Sequence, residues 1–250
     1  MANQRSGRLV ILSGPSCVGK SPLAKALAKF HPELQKTLQP LVLYNSRAPR
    51  PGEIDGVDYH FRCREEIENL KGREQFVVLD VRGDLQALDM QKLSVSLTRG
   101  DVFFEGNPFV GRALQTAPAL AQINRLSIFM SPLSRDEILF LSGKPGVSLV
   151  NVIADVMRRK LLRRTRRQKG EISAKDLADI EQRAVSAHRE LQDAHYFHCV
   201  IPNHDGEDSE NWDAFYYPLG DARKALLAFV SLLEGKTPSE IERWDKDLIP

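Results

Sequence analysis

Residues 14–21 read Gly-Pro-Ser-Cys-Val-Gly-Lys-Ser, and these residue types at this spacing could hold a chain of phosphates. Glycines let a backbone curl so that successive N–H groups point inward at anionic oxygens. Lys20 would then reach the β- and γ-phosphates, and the Ser21 hydroxyl would ligate Mg²⁺. Such a loop needs a strand before it and a helix after it. The apolar run Leu9-Val10-Ile11-Leu12 reads as a buried strand, and Leu23, Ala24, Leu27, Ala28 and Phe30 fall at helical spacing. The positive end of that helix adds to the field at the loop. Gly14, Pro15, Ser16, Cys17, Val18, Gly19, Lys20 and Ser21 thus form a Walker A loop expected to bind a nucleoside triphosphate.

A second set of groups follows in a segment rich in proline and glycine. Arg47 and Arg50 lie three apart, with Tyr59 downstream. Two guanidinium forks and a phenol suit a second phosphate group; the same residues would equally make a solvated basic turn. Further on, residues 158–169 carry eight basic side chains. A lid closing over phosphate, a nucleic-acid patch and a solvated helix face all compete for that run. No aromatic stacking platform is interleaved with it, so nucleic acid is not an expected partner.

The elements that must position these groups read as an α/β fold. Strands are expected at residues 9–12, 57–61, 76–79, 102–105, 127–130 and 200–202, with helices over 149–169, 173–194 and 222–233. Short apolar strands alternating with helices imply a mainly parallel sheet flanked by helices. A length of 250 residues suits one domain with a lid and insertions, and a net charge of +2 gives no reason to invoke a membrane or nucleic acid. Cys17, Cys63 and Cys199 are far apart and match no metal-ligand spacing. Cys17, inside the loop, reads as a free thiol in a reducing compartment. The first eight residues are polar and the run behind them is too short for a signal or membrane span. A cytoplasmic protein is expected.

The segment Arg47-Ala48-Pro49-Arg50-Pro51-Gly52-Glu53-Ile54-Asp55-Gly56-Val57-Asp58-Tyr59-His60-Phe61 resembles the GMP-binding signature of guanylate kinases. Gly7 to Ser16, the run from Ile180 to Arg183 and on to Glu190-Leu191, and the strand leading to Asn203 also look like that family. The resemblance implies a P-loop NTPase fold with NMP-binding and lid subdomains in a single domain over 1–250. Within it, 7–31 is the P-loop unit, 41–98 the acceptor-binding part and 158–194 the lid, with insertions about 132–157 and 206–220. It implies ATP and Mg²⁺ as cofactors and ATP-dependent phosphoryl transfer to GMP or a related acceptor. Arg47, Arg50 and Tyr59 match residues holding the acceptor phosphate. Glu105 matches an acidic position near the metal and acceptor, and Asn107 lies beside it. Lys20, Arg167 and Arg183 match groups acting on the transferring phosphoryl, and Asn203 a position near adenine. Two other readings stay open: a guanylate-kinase-like binding or regulatory module, and a kinase for another phosphorylated small molecule.

The sequence departs from the family pattern mainly where guanine is read. A family hydroxyl residue is replaced by Leu43, a guanine-binding glutamate by Val77 or Val78, a tyrosine by Gln86 and an aspartate by Asn107. Pro22 follows Ser21 and has no N–H to offer a phosphate. The phosphate grip is therefore expected to outlast the base contacts. The aromatic insertion at 206–220 reads either as a protein interface, tested at Trp212 and Phe215, or as local packing.

Overall fold

The computed structural model describes residues 7–49, 52–81 and 83–250. Arg50 and the polar N-terminal residues 1–6 lie outside them. In chain order the elements are β1 (Leu9–Ser13), α1 (Lys20–Phe30), α2 (Pro32–Lys36), β2 (Leu38–Pro40), β3 (Tyr44–Asn45), β4 (His60–Phe61), α3 (Arg64–Glu68), β5 (Phe76–Val81), β6 (Asp84–Asp89) and α4 (Met90–Leu97). There follow β7 (Asp101–Gly106), α5 (Pro108–Thr116), β8 (Arg125–Ser131), α6 (Arg135–Ser142), α7 (Leu149–Lys169), α8 (Ala174–Gln192), β9 (Cys199–Pro202) and α9 (Gly220–Leu233). One sheet has the strand order β2-β7-β1-β8-β9, with β2–β7 and β8–β9 parallel. Every residue of β1 is buried, as a strand packed on both faces requires.

Two compact units divide the chain. The first takes in Thr37–Phe104 and Ala113–Leu126 with the start of β1. It contains a smaller sheet of order β4-β3-β6-β5, in which β5 and β6 form an antiparallel pair. Val78 lies opposite Ala87 there, Val77 opposite Leu88 and Leu79 opposite Gln86. Side chains alternate between faces along a strand. Phe76, Val78, Leu85 and Ala87 accordingly pack with Ile67, Leu70 and Tyr44 on one face, leaving Val77, Leu79, Gln86 and Leu88 on the other.

The second unit holds Leu12–Lys36, Glu105–Arg112 and Ser127–Pro250. Leu23, Ala26 and Leu27 bury the inner stripe of α1. The helices α7 and α8 pack along one another, each opened by a serine: Ser148 Oγ accepts from Asn151 N, and Ser173 forms a capping box with Asp176. The apolar stretch around 147–156, expected as part of an insertion, is thus the first half of α7. The expected strand over 57–61 shrinks to His60–Phe61, because Gly56 turns at φ +80° and Val57 N bonds back to Ile54 O. No helix of the described residues is long and apolar enough to cross a membrane.

Candidate functional site

The loop between β1 and α1 is built as its residues require. Gly19, at φ +105°, caps α1, and a Cβ there would come within 2.5 Å of Asn203 Nδ2 and 2.7 Å of Asp205 O. Lys20 is buried, and its Nζ donates to Gly14 O at 2.8 Å and Pro15 O at 2.7 Å. Burial pushes the Lys20 ammonium below its usual pKa, opposed by the carboxylates of Glu207, Glu105 and Glu190. Cys17 stands in the left-handed region at φ +67°, a conformation that costs a non-glycine residue about 1–2 kcal/mol. Its thiol is pushed up to about 12 by burial and by Glu207 and Asp208 nearby, so it stays protonated.

At the start of α1 the Ser21 hydroxyl donates to Glu105 Oε1 at 2.7 Å. Glu105 sits near the end of β7, so strand and helix bring together a hydroxyl and a carboxylate far apart in sequence. These are hard oxygen donors of the kind Mg²⁺ takes, and Mg²⁺ is commonly bound by one or two protein groups plus substrate phosphates. No cluster of three or more His, Cys, Asp or Glu side chains suited to a metal occurs among the described residues. The pair therefore fits a metal delivered with a nucleotide and not an independent protein cage. Asn107, two residues on, accepts from Phe109 N at 2.8 Å through its side-chain oxygen and so caps α5.

Asn203, expected near adenine, lies behind the loop. It is fully buried, and its Nδ2 donates to Val18 O at 2.8 Å and Asp205 O at 2.6 Å. Its amide thus braces the loop between β1 and α1 from behind. Around it the 205–213 segment is tied down closely. Asp205 accepts from Ser209 Oγ, Asn211 Nδ2 and Ala222 N, and Trp212 Nε1 donates to Asp205 O and Gly206 O. Gly206 presses on the loop so closely that a Cβ would meet Cys17 O at 2.1 Å. Trp212, read from sequence as interface or packing, packs over the phosphate loop.

The basic run on α7 is largely spoken for within this unit. Arg158 pairs with Glu181, Arg163 with Asp208 at 3.1 Å, Arg167 with Asp213 at 3.4 Å and Lys169 with Asp176. Arg183, on α8, pairs with Asp179 at 2.7 Å. An open pocket of about 530 Å³ is lined by Ser21, Pro22 and Lys25 of α1, by Arg164 and Arg167 of α7, and by Glu207 and Trp212. Arg167 thus shares a pocket with the loop serine, whereas Arg183 is turned along its own helix. Arg164, Glu207 and Trp212 were not assigned to this site from sequence. The signal available was the Glu207-Asp208 doublet in a segment that follows a strand aimed at the phosphate loop.

In the first unit Arg47 forms a two-pronged ion pair, each Nη lying 2.6 Å from an oxygen of Glu53. Its guanidinium lies 5.2 Å from the Tyr59 ring centre and 5.5 Å from that of Phe61. The hydrogen bonds to Glu53 hold its pKa above the usual value despite partial burial. Arg47 and Tyr59 are therefore brought together, and Arg50 lies outside the described residues. Gln86 and Leu43 are buried. Val77, not Val78, shares a face with Gln86.

A buried strand, a glycine loop closing onto a helix and a buried loop lysine define an α/β protein of the phosphate-loop type. Comparison with known proteins narrows this. The family model described as Guanylate kinase matches residues 6–83. A guanylate kinase of Synechococcus sp. (strain JA-3-3Ab) is 32% identical over 216 residues, covering 85% of this chain and 83% of that protein. One from Rhodococcus jostii (strain RHA1) is 35% identical over 162 residues, 63% of this chain and 72% of its own length. The crystal structure of guanylate kinase from Anaplasma phagocytophilum shares the fold, with a TM-score of 0.52 over 92% of this chain and 86% of that one at 17% identity. The chain belongs to the guanylate kinase family.

Proposed function

We propose that this protein is an ATP- and Mg²⁺-dependent nucleoside-monophosphate kinase that transfers the γ-phosphoryl group to GMP or a related acceptor. The observation that carries the reading is the intact phosphate loop, with Lys20 held at its centre and Ser21 set against Glu105. Phosphoryl transfer asks a protein mainly for alignment and charge neutralisation. Lys20 and the loop amides would neutralise the donor's β- and γ-phosphates. Ser21 and Glu105 would hold Mg²⁺, which would draw charge off the phosphate oxygens. Arg47, Arg50 and Tyr59 would take the acceptor phosphate, and Arg167 and Arg183 would neutralise charge on the transferring group. No general base is required, because the acceptor phosphate is itself the nucleophile. The three free cysteines suit a reducing, cytoplasmic setting.

Apolar residues at Leu43, Val77 and Leu88 favour an acceptor site that grips phosphate more firmly than it reads guanine. A coupled ADP-release assay with ATP and Mg²⁺ over a panel of nucleoside monophosphates, deoxynucleotides and sugar phosphates tests the reading. Turnover with a monophosphate supports it. Ordinary ATP affinity with no turnover on any acceptor would instead mark a binding module.

A further inference from the structure

The phosphate loop is supported from behind, and the support turns on one imidazole. Asn203 Nδ2 donates to Val18 O, and its main-chain N donates to Ser131 O at 2.8 Å, so the end of β9 carries the loop. The next residue fixes that end in place. His204 Nδ1 lies 2.5 Å from Asp221 Oδ2, in the first turn of α9. Its Nε2 lies 2.9 Å from each carboxylate oxygen of Glu137, in the first turn of α6. The backbone oxygen of His204 accepts from Lys160 Nζ of α7, the helix that brings Arg164 and Arg167 beside Ser21. Asp205 closes the set by accepting from Ala222 N of α9. One residue thus ties three helices to the strand end that seats the loop.

We infer that His204 is a positioning residue for the donor site: its imidazolium, pinned between α6 and α9, keeps Asn203 seated under Val18 and so holds the phosphate loop in the shape that binds the donor. The inference rests on the reading of residues 14–21 as the donor phosphate loop. An imidazolium has two N–H groups and can donate to both carboxylates, whereas the neutral ring has one and must release Asp221 or Glu137. Among the described residues, the charged groups around the ring are Glu137, Asp221 with Lys224 bonded to it, and Lys160 at the His204 backbone oxygen. Burial works against ionisation of the two carboxylates. Hydrogen bonds from Ser134 and His204 to Glu137, and from His204 and Lys224 to Asp221, nonetheless hold both below the usual carboxylate range. Both therefore stay charged near neutrality, where His204 is the member of the cluster that changes state.

The test is ADP binding in Mg²⁺, measured by calorimetry on the full chain at about pH 6 and about pH 9, on either side of the histidine range. Comparing variant with wild type at each pH cancels the titration of ADP itself. His204→Gln copies the uncharged ring. It is expected to weaken ADP binding about fivefold at the lower pH, the small end of coupling between sites, and to match wild type at the higher one. His204→Arg keeps a charged fork with N–H groups for both carboxylates at either pH. It should match wild type at the lower pH and bind ADP about fivefold more tightly than wild type at the higher. A loss in His204→Gln that is the same at both pH values would mark a purely structural role, and no loss at either would leave the ring without one. Each result overturns the inference while ADP binding keeps the phosphate loop in place. Should the glutamine variant not fold, His204→Arg decides the matter, and an affinity no better than wild type at the higher pH overturns the inference. Absence of ADP binding by the wild type would overturn the loop reading, and the inference with it.

Discussion

Ser21 Oγ donates to Glu105 Oε1 at 2.7 Å, across 84 positions of sequence. The contact sets a loop hydroxyl and a strand-end carboxylate side by side, the pair proposed above to hold Mg²⁺. Glu105→Gln keeps the shape and removes the charge. Loss of such a group costs about 10–100-fold in metal affinity or activity. The half-saturating Mg²⁺ concentration in the ADP-release assay should rise by about that factor, with the melting temperature little changed. An unaltered Mg²⁺ dependence would remove Glu105 from the metal site.

Arg47 is held by Glu53 through both Nη atoms and lies against two aromatic rings. A lysine reproduces the charge but neither the fork nor the flat stacking surface. Arg47→Lys should therefore raise KM for the acceptor by about tenfold, the lower bound for a lost charged hydrogen bond, and leave KM for ATP unchanged. Equal changes in both constants would point to a general loss of structure.

The two valines at the family's glutamate position should respond in opposite ways. Val77 shares a face with Gln86 and Leu88, whereas Val78 packs against the cluster of Ile67, Leu85 and Ala87. Val77→Glu should increase the preference for GMP over AMP by roughly tenfold or more, as one charged hydrogen bond would allow. Val78→Glu puts a carboxylate among apolar side chains and should lower stability by about 2 kcal/mol or more. Chemical unfolding together with acceptor kinetics on both variants checks the assignment.

His204 lies between Asp221, at 2.5 Å from Nδ1, and Glu137, at 2.9 Å from Nε2. Burial opposes its charged form, but the bonds to these two carboxylates outweigh that and raise its pKa above the usual histidine value of about 6.5. A raised folded-state pKa contributes stability that is fully present below the unfolded value and is lost as pH rises through the folded one. The melting temperature should therefore fall from about pH 6.5 upward, and His204→Gln should flatten that part of the profile. An identical pH profile in the variant would show that the imidazolium contributes nothing.

Much of the donor half was legible in the sequence because its chemistry is local. Strand, loop and helix follow one another over residues 9–30, and the long helices α7 and α8 announce themselves by periodicity. What was not legible depends on distant contacts. That the Asn203 amide bonds to Val18 and Asp205 could not be read from the sequence. Nor could the cap that Asn107 places on α5. Trp212 could be read only as interface or local packing, because nothing in the sequence shows that the 205–213 segment folds back over Cys17 and Gly19. The β6 strand was missed because Leu85, Ala87 and Leu88 do not alternate cleanly with polar residues when both faces of a strand are covered.

The most direct test of the account follows the phosphate itself. With γ-labelled ATP, Mg²⁺ and a mixture of nucleoside monophosphates, label should pass to a nucleoside diphosphate in a one-to-one ratio with the ADP formed. Lys20→Ala should lower that rate by about 10²–10³-fold, as removal of a preorganised charge on the transferring group does. Label appearing only as inorganic phosphate, or a labelled diphosphate made equally well by Lys20→Ala, would contradict it.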